Sequence, residues 1–211
     1  MKEINQNVPF LWRLSSQDDQ GLCSVSLVIP VGKDGSEQEE HTIETRIMSF
    51  ADELVEDEEE EVLEWNDDDL NLFIKLISSR VIERPVDKNG TIRVDLSDPV
   101  TIEVVQIVAA AGFGIVLPAE DYLVSSEAEL PSTTCEIGSE VSINTIGGYK
   151  RCIIVDENDD EVVCVMLEQV NGGIPGFIED INPYDLLLLK RHHILHSQYS
   201  SQLPERSDIL H

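Results

Sequence analysis

Basic residues are scarce in this 211-residue chain, which contains 14 Lys and Arg against 42 Asp and Glu and has a formal net charge of -28. Proteins bind nucleic acid by neutralising phosphates with Lys and Arg, so this deficit argues against direct DNA or RNA binding. A strongly negative surface repels anionic lipid headgroups and attracts basic surfaces. The composition therefore favours a basic protein as the partner.

Long apolar runs are also missing. The best candidate, residues 104–116, is shorter than the roughly 18 apolar residues that span a bilayer, and two glycines interrupt it. The first residues lack the apolar core that is typical of a signal peptide. We therefore expect no membrane association and a cytoplasmic location, in the host cytoplasm or the virion if the source is viral.

Cysteine is sparse, with four residues and no CxxC pair. That spacing argues against a zinc ribbon and against a thioredoxin-type redox motif. Cys23, Cys152 and Cys164 stand in apolar, strand-like runs, whereas Cys135 does not. We therefore predict that these three thiols are buried and reduced.

The signatures of common enzymes are absent: the chain has no GxSxG, no HExxH and no P-loop. Residues 156–167 begin like an EF-hand calcium loop. Glu161 and Leu167, however, occupy the positions where that loop requires Gly and Glu. The flanks read as strands, so we predict a hairpin turn around Asn158 and Asp159 instead.

Three weaker patterns suggest ligands but lack essential parts. His192 and His196 would share a helical face, yet no nearby acid or cysteine completes a metal site. Residues 111–114 resemble part of a dinucleotide-binding loop without its third glycine. Residues 101–112 resemble the start of a helix-turn-helix without basic residues. We predict no metal, no cofactor, no catalytic residue and no enzymatic activity.

The first half of the chain mixes strand and helix patterns. Apolar, β-branched runs at 8–14, 22–31 and 41–50 predict a β-meander. Ser49 with Asp52 predicts the start of a helix that extends to Trp65. Further on, a buried helix from Asn66, a strand at 91–96, a helix from Ser97 to about Ala111 and a strand at 114–118 follow.

The acidic block from Asp52 to Asp69 is the strongest feature, with 12 acidic residues and no base. On a helix it would span about 27 Å, or one charge per about 2.2 Å, close to the value of about 1.7 Å for duplex DNA. The like-charge i,i+4 pairs in it cost about 0.2–0.5 kcal/mol each, so the charge has a use or is merely solvated. The residues expected to form a partner-binding face are Glu53, Glu56, Asp57, Glu59, Glu60, Glu64, Asp67 and Asp68.

The last third of the chain has short strand-like runs, chiefly residues 149–155 and 161–167, followed by 177–181 and 184–187. In this order residues 138–190 resemble a small SH3-like barrel, closest to the Tudor type. The resemblance implies a protein-interaction module. Tudor domains read methylated Lys or Arg through an aromatic cage, for which the chain offers Tyr149, Phe177 and Tyr184.

Together these patterns predict an α+β protein with two modules. Residues 1–123 form a mixed domain with a β-meander and helices, 124–134 a linker, 135–191 an SH3-like barrel, and 192–211 a mobile or partner-docked tail. The predicted function is docking on a basic or nucleic-acid-binding protein, in the sharpest form as a phage-type DNA mimic. The alternative is a structural subunit of a larger assembly such as a virus particle, and oligomerisation is compatible with both.

Overall fold

The computed structural model describes residues 10–19, 21–31, 39–50, 60–80, 94–124, 135–172 and 179–201, which belong to two units, Met1–Ile115 and Val116–His211. Each unit contains its own sheet, and the described residues form two α-helices in all. The predicted α+β class is therefore confirmed. None of the described helices is long and apolar enough to cross a membrane.

The first unit is built on an antiparallel sheet with strand order β3-β2-β1-β4. Alternating burial is seen in its first strand, where Trp12 and Leu14 are buried and Leu11 and Arg13 are only half-buried. The three predicted strands of the meander are confirmed, and a fourth joins them. The strands are β1 (Leu11–Leu14), β2 (Leu22–Val31), β3 (Glu39–Phe50) and β4 (Glu61–Glu64).

Helix α2 (Pro99–Phe113) supplies much of the core of this unit. It starts at Asp98, whose carboxylate accepts a hydrogen bond of 3.3 Å from the N–H of Thr101, and it ends at Gly114. The sequence predicts these boundaries to within about two residues, from Ser97 to about Ala111. Every side chain from Val104 to Ala110 is buried, and each large apolar one contributes about 1.5–3 kcal/mol.

Helix α1 (Asp67–Arg80) is confirmed as a helix, but only one of its faces is buried. Leu70 and Ile74, one turn apart, are 43% and 40% exposed. An ion pair of 2.8 Å between Arg80 and Glu103 joins α1 to α2. The buried face consists of Asp69, Leu72, Phe73, Leu76 and Ile77.

A bulge in β3 places residues 45–47 opposite the single residue Val25. The hydroxyl of Thr45 donates a hydrogen bond to the carbonyl of Val25. The N–H of Arg46 donates one of 2.9 Å to the side-chain oxygen of Gln106, which is buried on α2. Side chains thus replace backbone bonds that the bulge removes from the ladder, and one of them connects β3 to α2.

The second unit contains a five-stranded sheet with order β5-β9-β8-β7-β6, antiparallel except for β5 with β9. Because β5 pairs with β9, this unit starts at Val116, whereas the sequence analysis assigns residues up to 123 to the first domain. Residues 125–134 of the predicted linker lie outside the described residues. The strands are β5 (Val116–Pro118), β6 (Glu140–Thr145), β7 (Gly148–Glu157), β8 (Glu161–Met166) and β9 (Leu186–Lys190).

The chain after β9 is part of the fold rather than a tail. Ile194 and Leu195 are buried at 0% and 2% exposure, because the apolar side chains enter the core of the second unit. Leu195 and Ser142 exchange two backbone hydrogen bonds, of 3.0 and 2.8 Å, which connect this segment to β6. The prediction of a tail is therefore wrong for residues 192–201, and 202–211 lie outside the described residues. The described strands form no closed barrel, since this connection is a single bridge.

Two other predictions are wrong where the structure can be compared with them. The acidic helix predicted from Ser49 to Trp65 is absent at both of its ends, because β3 continues to Phe50 and β4 pairs with β1. Residues 51–59 lie outside the described residues. The strand predicted at 91–96 is also absent at Val94–Leu96, which lead into the turn before α2.

Candidate acidic interaction surface

Four of the eight residues predicted to bind a partner are described, and they lie close together in sequence and fold. Glu60 precedes β4 and Glu64 is its last residue, while Asp67 and Asp68 open α1. All four side chains are exposed. We call these four residues the acidic surface. Glu53, Glu56, Asp57 and Glu59 lie outside the described residues.

The turn between β4 and α1 is held by a reciprocal pair of hydrogen bonds. The side-chain oxygen of Asn66 accepts a bond of 2.8 Å from the N–H of Asp69, and the Asp69 carboxylate accepts one of 3.1 Å from the N–H of Asn66. This is a capping box with Asn and Asp in its two positions. Asp67 and Asp68 consequently lie in the first helical turn, where the helix dipole stabilises negative charge.

A layer of aromatic rings supports this turn from the inside. Trp12 and Trp65 stack with ring centroids 5.0 Å apart. Phe10 and Phe73 contact Trp65 edge to face, and Phe113 does the same with Trp12. Each such pair contributes about 0.5–1.5 kcal/mol beyond the buried area. The rings come from the segments of β1, β4, α1 and α2, so they fix the acidic surface to the core of the unit.

Asp69 differs from its two acidic neighbours because its side chain is buried, with only 8% exposure. Its carboxylate accepts a hydrogen bond of 3.2 Å from the indole N–H of Trp12. Burial raises the pKa of the Asp69 carboxyl above its ordinary value, while the hydrogen bonds from Asn66 and Trp12 act in the opposite direction. Asp69 therefore serves the fold, and the partner-facing charge lies on the residues around it.

Ion pairs divide the acidic surface into neutralised and free charge. Arg13 on β1 lies 2.5 Å from a carboxylate oxygen of Glu40 and 3.6 Å from one of Glu60. Glu64, Asp67 and Asp68 form no ion pair with any residue in the described ranges. The contact between Arg13 and Glu60 has no local sequence signal, because the two residues are 47 positions apart and only strand pairing brings them together.

The cysteines occupy the environments that their surrounding runs predict. Cys23, Cys152 and Cys164 are buried free thiols, and Cys135 is half-buried. Burial raises the pKa of the Cys164 thiol well above its ordinary value, and the neighbouring thiol of Cys152 acts in the same direction. Such thiols are poor nucleophiles and carry no chemistry in the resting fold.

The remaining candidate ligand residues form no evident centre. Asn158 closes the predicted hairpin turn by accepting bonds from the N–H groups of Asp160 and Glu161. The rings of His192 and His193 lie 4.0 Å apart, tilted by 57°, in a 3-10 turn, and burial lowers the pKa of His193. Among the described residues, no three His, Cys, Asp or Glu side chains are placed to hold a metal ion.

The three aromatic residues that the chain offers for a Tudor-type cage are only partly described. The rings of Tyr149 and Tyr199 lie 5.4 Å apart. Tyr184 sits in a turn at a positive φ of 77°, a strained value for a residue with a side chain. Phe177 lies outside the described residues.

In comparisons with known proteins, no family model and no curated protein matches the chain.

Proposed function

We propose that this protein is a non-enzymatic interaction protein that docks on a basic protein surface through the acidic surface. The observation that carries the proposal is the position of Glu64, Asp67 and Asp68. They are exposed, lack cationic partners among the described residues, and adjoin a turn that the layer of aromatic rings supports. A rigid support of this kind reduces the entropy lost when charged side chains bind a partner.

The distribution of charge along the chain supports the same proposal. Residues 37–69 contain 16 acidic residues and Arg46 as the only base, so about half of the total net charge comes from less than a sixth of the chain. A net charge concentrated in one stretch of the chain steers a basic partner toward the unit that contains that stretch. An even coat of charge would give solubility without that direction.

The proposal extends to a nucleic-acid-binding protein as the partner, with the acidic surface in the place of DNA phosphates. One support for this version has changed. The spacing close to that of DNA assumes a helix with a rise of about 1.5 Å per residue, whereas a strand such as β4 rises about 3.3 Å. Glu60 to Glu64 therefore carry fewer charges per unit length than the helix would. A basic protein surface in general is the better-supported partner.

The second unit is proposed to be an interaction module of the SH3-like kind. Its support is the run of four consecutive antiparallel strands, β6 to β9, followed by a 3-10 turn at residues 191–193. The bridge from Leu195 to Ser142 then leads back to the first of these strands. Among the described residues of this unit, the ring pair of Tyr149 and Tyr199 is the only aromatic contact that would support methyl-ligand binding.

A pull-down from host lysate at low and high salt tests the proposed function, with captured proteins identified by mass spectrometry. The test variant replaces the acidic surface by amides. We expect it to lose basic proteins that wild type captures, with affinity reduced about ten-fold or more, since exposed charge pairs contribute about 0.2–1 kcal/mol each. Capture should also weaken as salt rises. The test variant combines E60Q, E64Q, D67N and D68N.

A matched control removes the same charge from exposed acids of the second unit and should capture as wild type does. Equal loss in both variants, or no basic protein at any salt concentration, would refute the proposal. A stable homo-oligomer or a fixed set of partners that ignores salt would support a structural subunit instead. The control variant combines D121N, D159N, D160N and E179Q.

A further inference from the structure

Strand β4 forms one edge of the sheet in the first unit. Among the described strands its only neighbour is β1, because the strand order is β3-β2-β1-β4. An edge strand presents unpaired N–H and C=O groups on its outer side. Such an edge accepts a further strand from another molecule.

The register of β1 with β4 identifies which groups are unpaired. The N–H of Trp65 donates to the carbonyl of Phe10 at 3.0 Å, so these two residues form a hydrogen-bonded pair. Such pairs alternate along an antiparallel ladder. The backbone of Leu63 therefore faces β1, while the N–H and C=O groups of Val62 and Glu64 point to the open edge. Neither residue forms a hydrogen bond there with another described residue.

The side chains along this edge specify the chemistry of a strand that would pair with it. Val62 and Glu64 lie on the same face because they are two residues apart. Val62 is 52% exposed and Glu64 is exposed. An added strand would place one side chain against each of them, so an apolar residue and a basic residue two positions apart would fit.

Self-association through the same edge is unfavourable. Two copies of β4 in antiparallel register would bring the glutamates of one strand toward those of the other, and like charges across a ladder destabilise it. Asp67 and Asp68, at the start of the adjacent helix, add to the repulsion. The charges that oppose a second copy attract a basic strand.

We propose that the open edge of β4 binds an extended basic segment of the partner as an additional antiparallel strand. The inference rests on the proposed function and specifies how the partner docks. Main-chain bonds to Val62 and Glu64 hold the segment, and Glu64 selects a Lys or Arg opposite it. The partner contributes a strand with basic and apolar residues at alternate positions of one face.

The experiment uses a blocked peptide of sequence Lys-Thr-Val-Thr-Lys-Thr-Val-Thr and two backbone-methylated forms. When the peptide pairs with β4 as an antiparallel strand, the Lys and Val residues opposite Glu64 and Val62 exchange backbone hydrogen bonds with them. The backbone N–H and C=O groups of the Thr residues point away from β4. N-methylation of Lys and Val should weaken binding at least ten-fold. N-methylation of Thr should change it less than three-fold. Amide exchange at Val62 and Glu64 should slow when the unmodified peptide binds.

Two protein variants test the same contacts. V62P removes an outward N–H without affecting the hydrogen bonds to β1, and should weaken peptide binding at least five-fold. E64Q should weaken it about three-fold or more, whereas D159N in the second unit, with the same loss of charge, should not. Because the methylated peptides leave the protein unchanged, the test holds even if V62P does not fold.

Equal binding of both methylated peptides would overturn the inference, since side-chain charge alone would then explain docking, and the proposed function would stand. If the peptide fails to bind while capture of the lysate partner still depends on the acidic surface, the inference is likewise overturned and the proposed function stands. Slow exchange at Val62 and Glu64 without peptide, together with a dimer, would show self-pairing and also overturn it. Failure of every basic probe and partner would refute the proposed function itself.

Discussion

Trp12 and Asp69 are 57 positions apart in the chain, yet the indole N–H of Trp12 donates a hydrogen bond of 3.2 Å to the buried carboxylate of Asp69. The same carboxylate oxygen accepts the N–H of Asn66. One acid therefore joins strand β1 to the first turn of α1. Because this turn carries Asp67 and Asp68, the geometry of the acidic surface depends on a residue that does not belong to it.

Replacing Asp69 by Asn should remove a pH dependence of stability. Burial raises the pKa of Asp69 in the folded state, so between its ordinary value and the raised value the folded protein binds more protons than the unfolded chain. The contribution of Asp69 to stability therefore falls as pH rises through that window. Denaturant unfolding from pH 3.5 upward, at steps of about half a unit, should show that the stability of D69N increases relative to that of wild type as the pH rises. A constant difference would contradict the shift.

Replacing Trp12 by Phe should destabilise the protein more than replacing Trp65 by Phe. Both rings belong to the aromatic layer, but the buried indole N–H of Trp65 has no hydrogen-bond partner among the described residues. W12F additionally deprives Asp69 of a donor, which costs about 1–3 kcal/mol. Urea unfolding of both variants measures the difference. Equal losses would mean that the bond to Asp69 contributes nothing.

Replacing Gln106 by Met should uncouple α2 from the bulge in β3. Met fills a similar volume but cannot accept the hydrogen bond from the N–H of Arg46, so this partly buried bond is lost at a cost of about 0.5–1.5 kcal/mol. Hydrogen exchange at the Arg46 amide should accelerate more than at Ile43, which lies outside the bulge. Unchanged exchange at Arg46 would show that the hydrogen bond from its N–H to Gln106 is absent in solution.

Replacing Leu195 by Ala tests whether the chain after β9 belongs to the fold. Leu195 is 2% exposed, and truncating such a side chain costs about 2–5 kcal/mol. The matched variant L188A, at a 37% exposed position of β9, should cost less. Thermal unfolding of the two proteins compares them. A neutral L195A would restore the prediction of a tail from His192.

Thiol labelling should distinguish the four cysteines. Cys135 is half-buried, whereas Cys23, Cys152 and Cys164 are 3%, 0% and 0% exposed. A maleimide should therefore modify Cys135 first in the native protein and the other three only after unfolding. The variant C135S should show no fast phase. Rapid modification of Cys152 or Cys164 would indicate that the second sheet opens.

Local signals account for the parts of the fold that the sequence predicts well. Asp98-Pro99 and Gly114 mark the two ends of α2, and its predominantly apolar sequence places it in the core. Asn66 and Asp69 likewise specify the start of α1 through contacts three residues apart. Each signal acts within one turn, so a single sequence contains it.

Long-range pairing accounts for the parts that it does not predict. The run Glu61–Glu64 has two adjacent apolar residues between two acids, a pattern too short to distinguish a strand from a helix. Its conformation depends on β1, about fifty positions earlier, and on the repulsion that neighbouring acids add to a helix. The partners of Arg13 and the role of Leu195 depend on similar distant contacts. Of the predicted site, Glu60 and Glu64 thus lie at a strand instead of on the predicted acidic helix, while Asp67 and Asp68 lie at the start of α1, where a second helix is predicted.

The bridge between Ser142 and Leu195 bears on the order in which the second unit folds. The hairpins from β6 to β8 join neighbouring segments, which come together quickly after little loss of chain entropy. Ser142 also donates from its hydroxyl to the carbonyl of Ser197, 55 positions later, so this contact closes more than half of the unit. Contacts across such a separation slow folding. We expect the hairpins to protect their amides first, and Ser142 and Leu195 to complete the unit last.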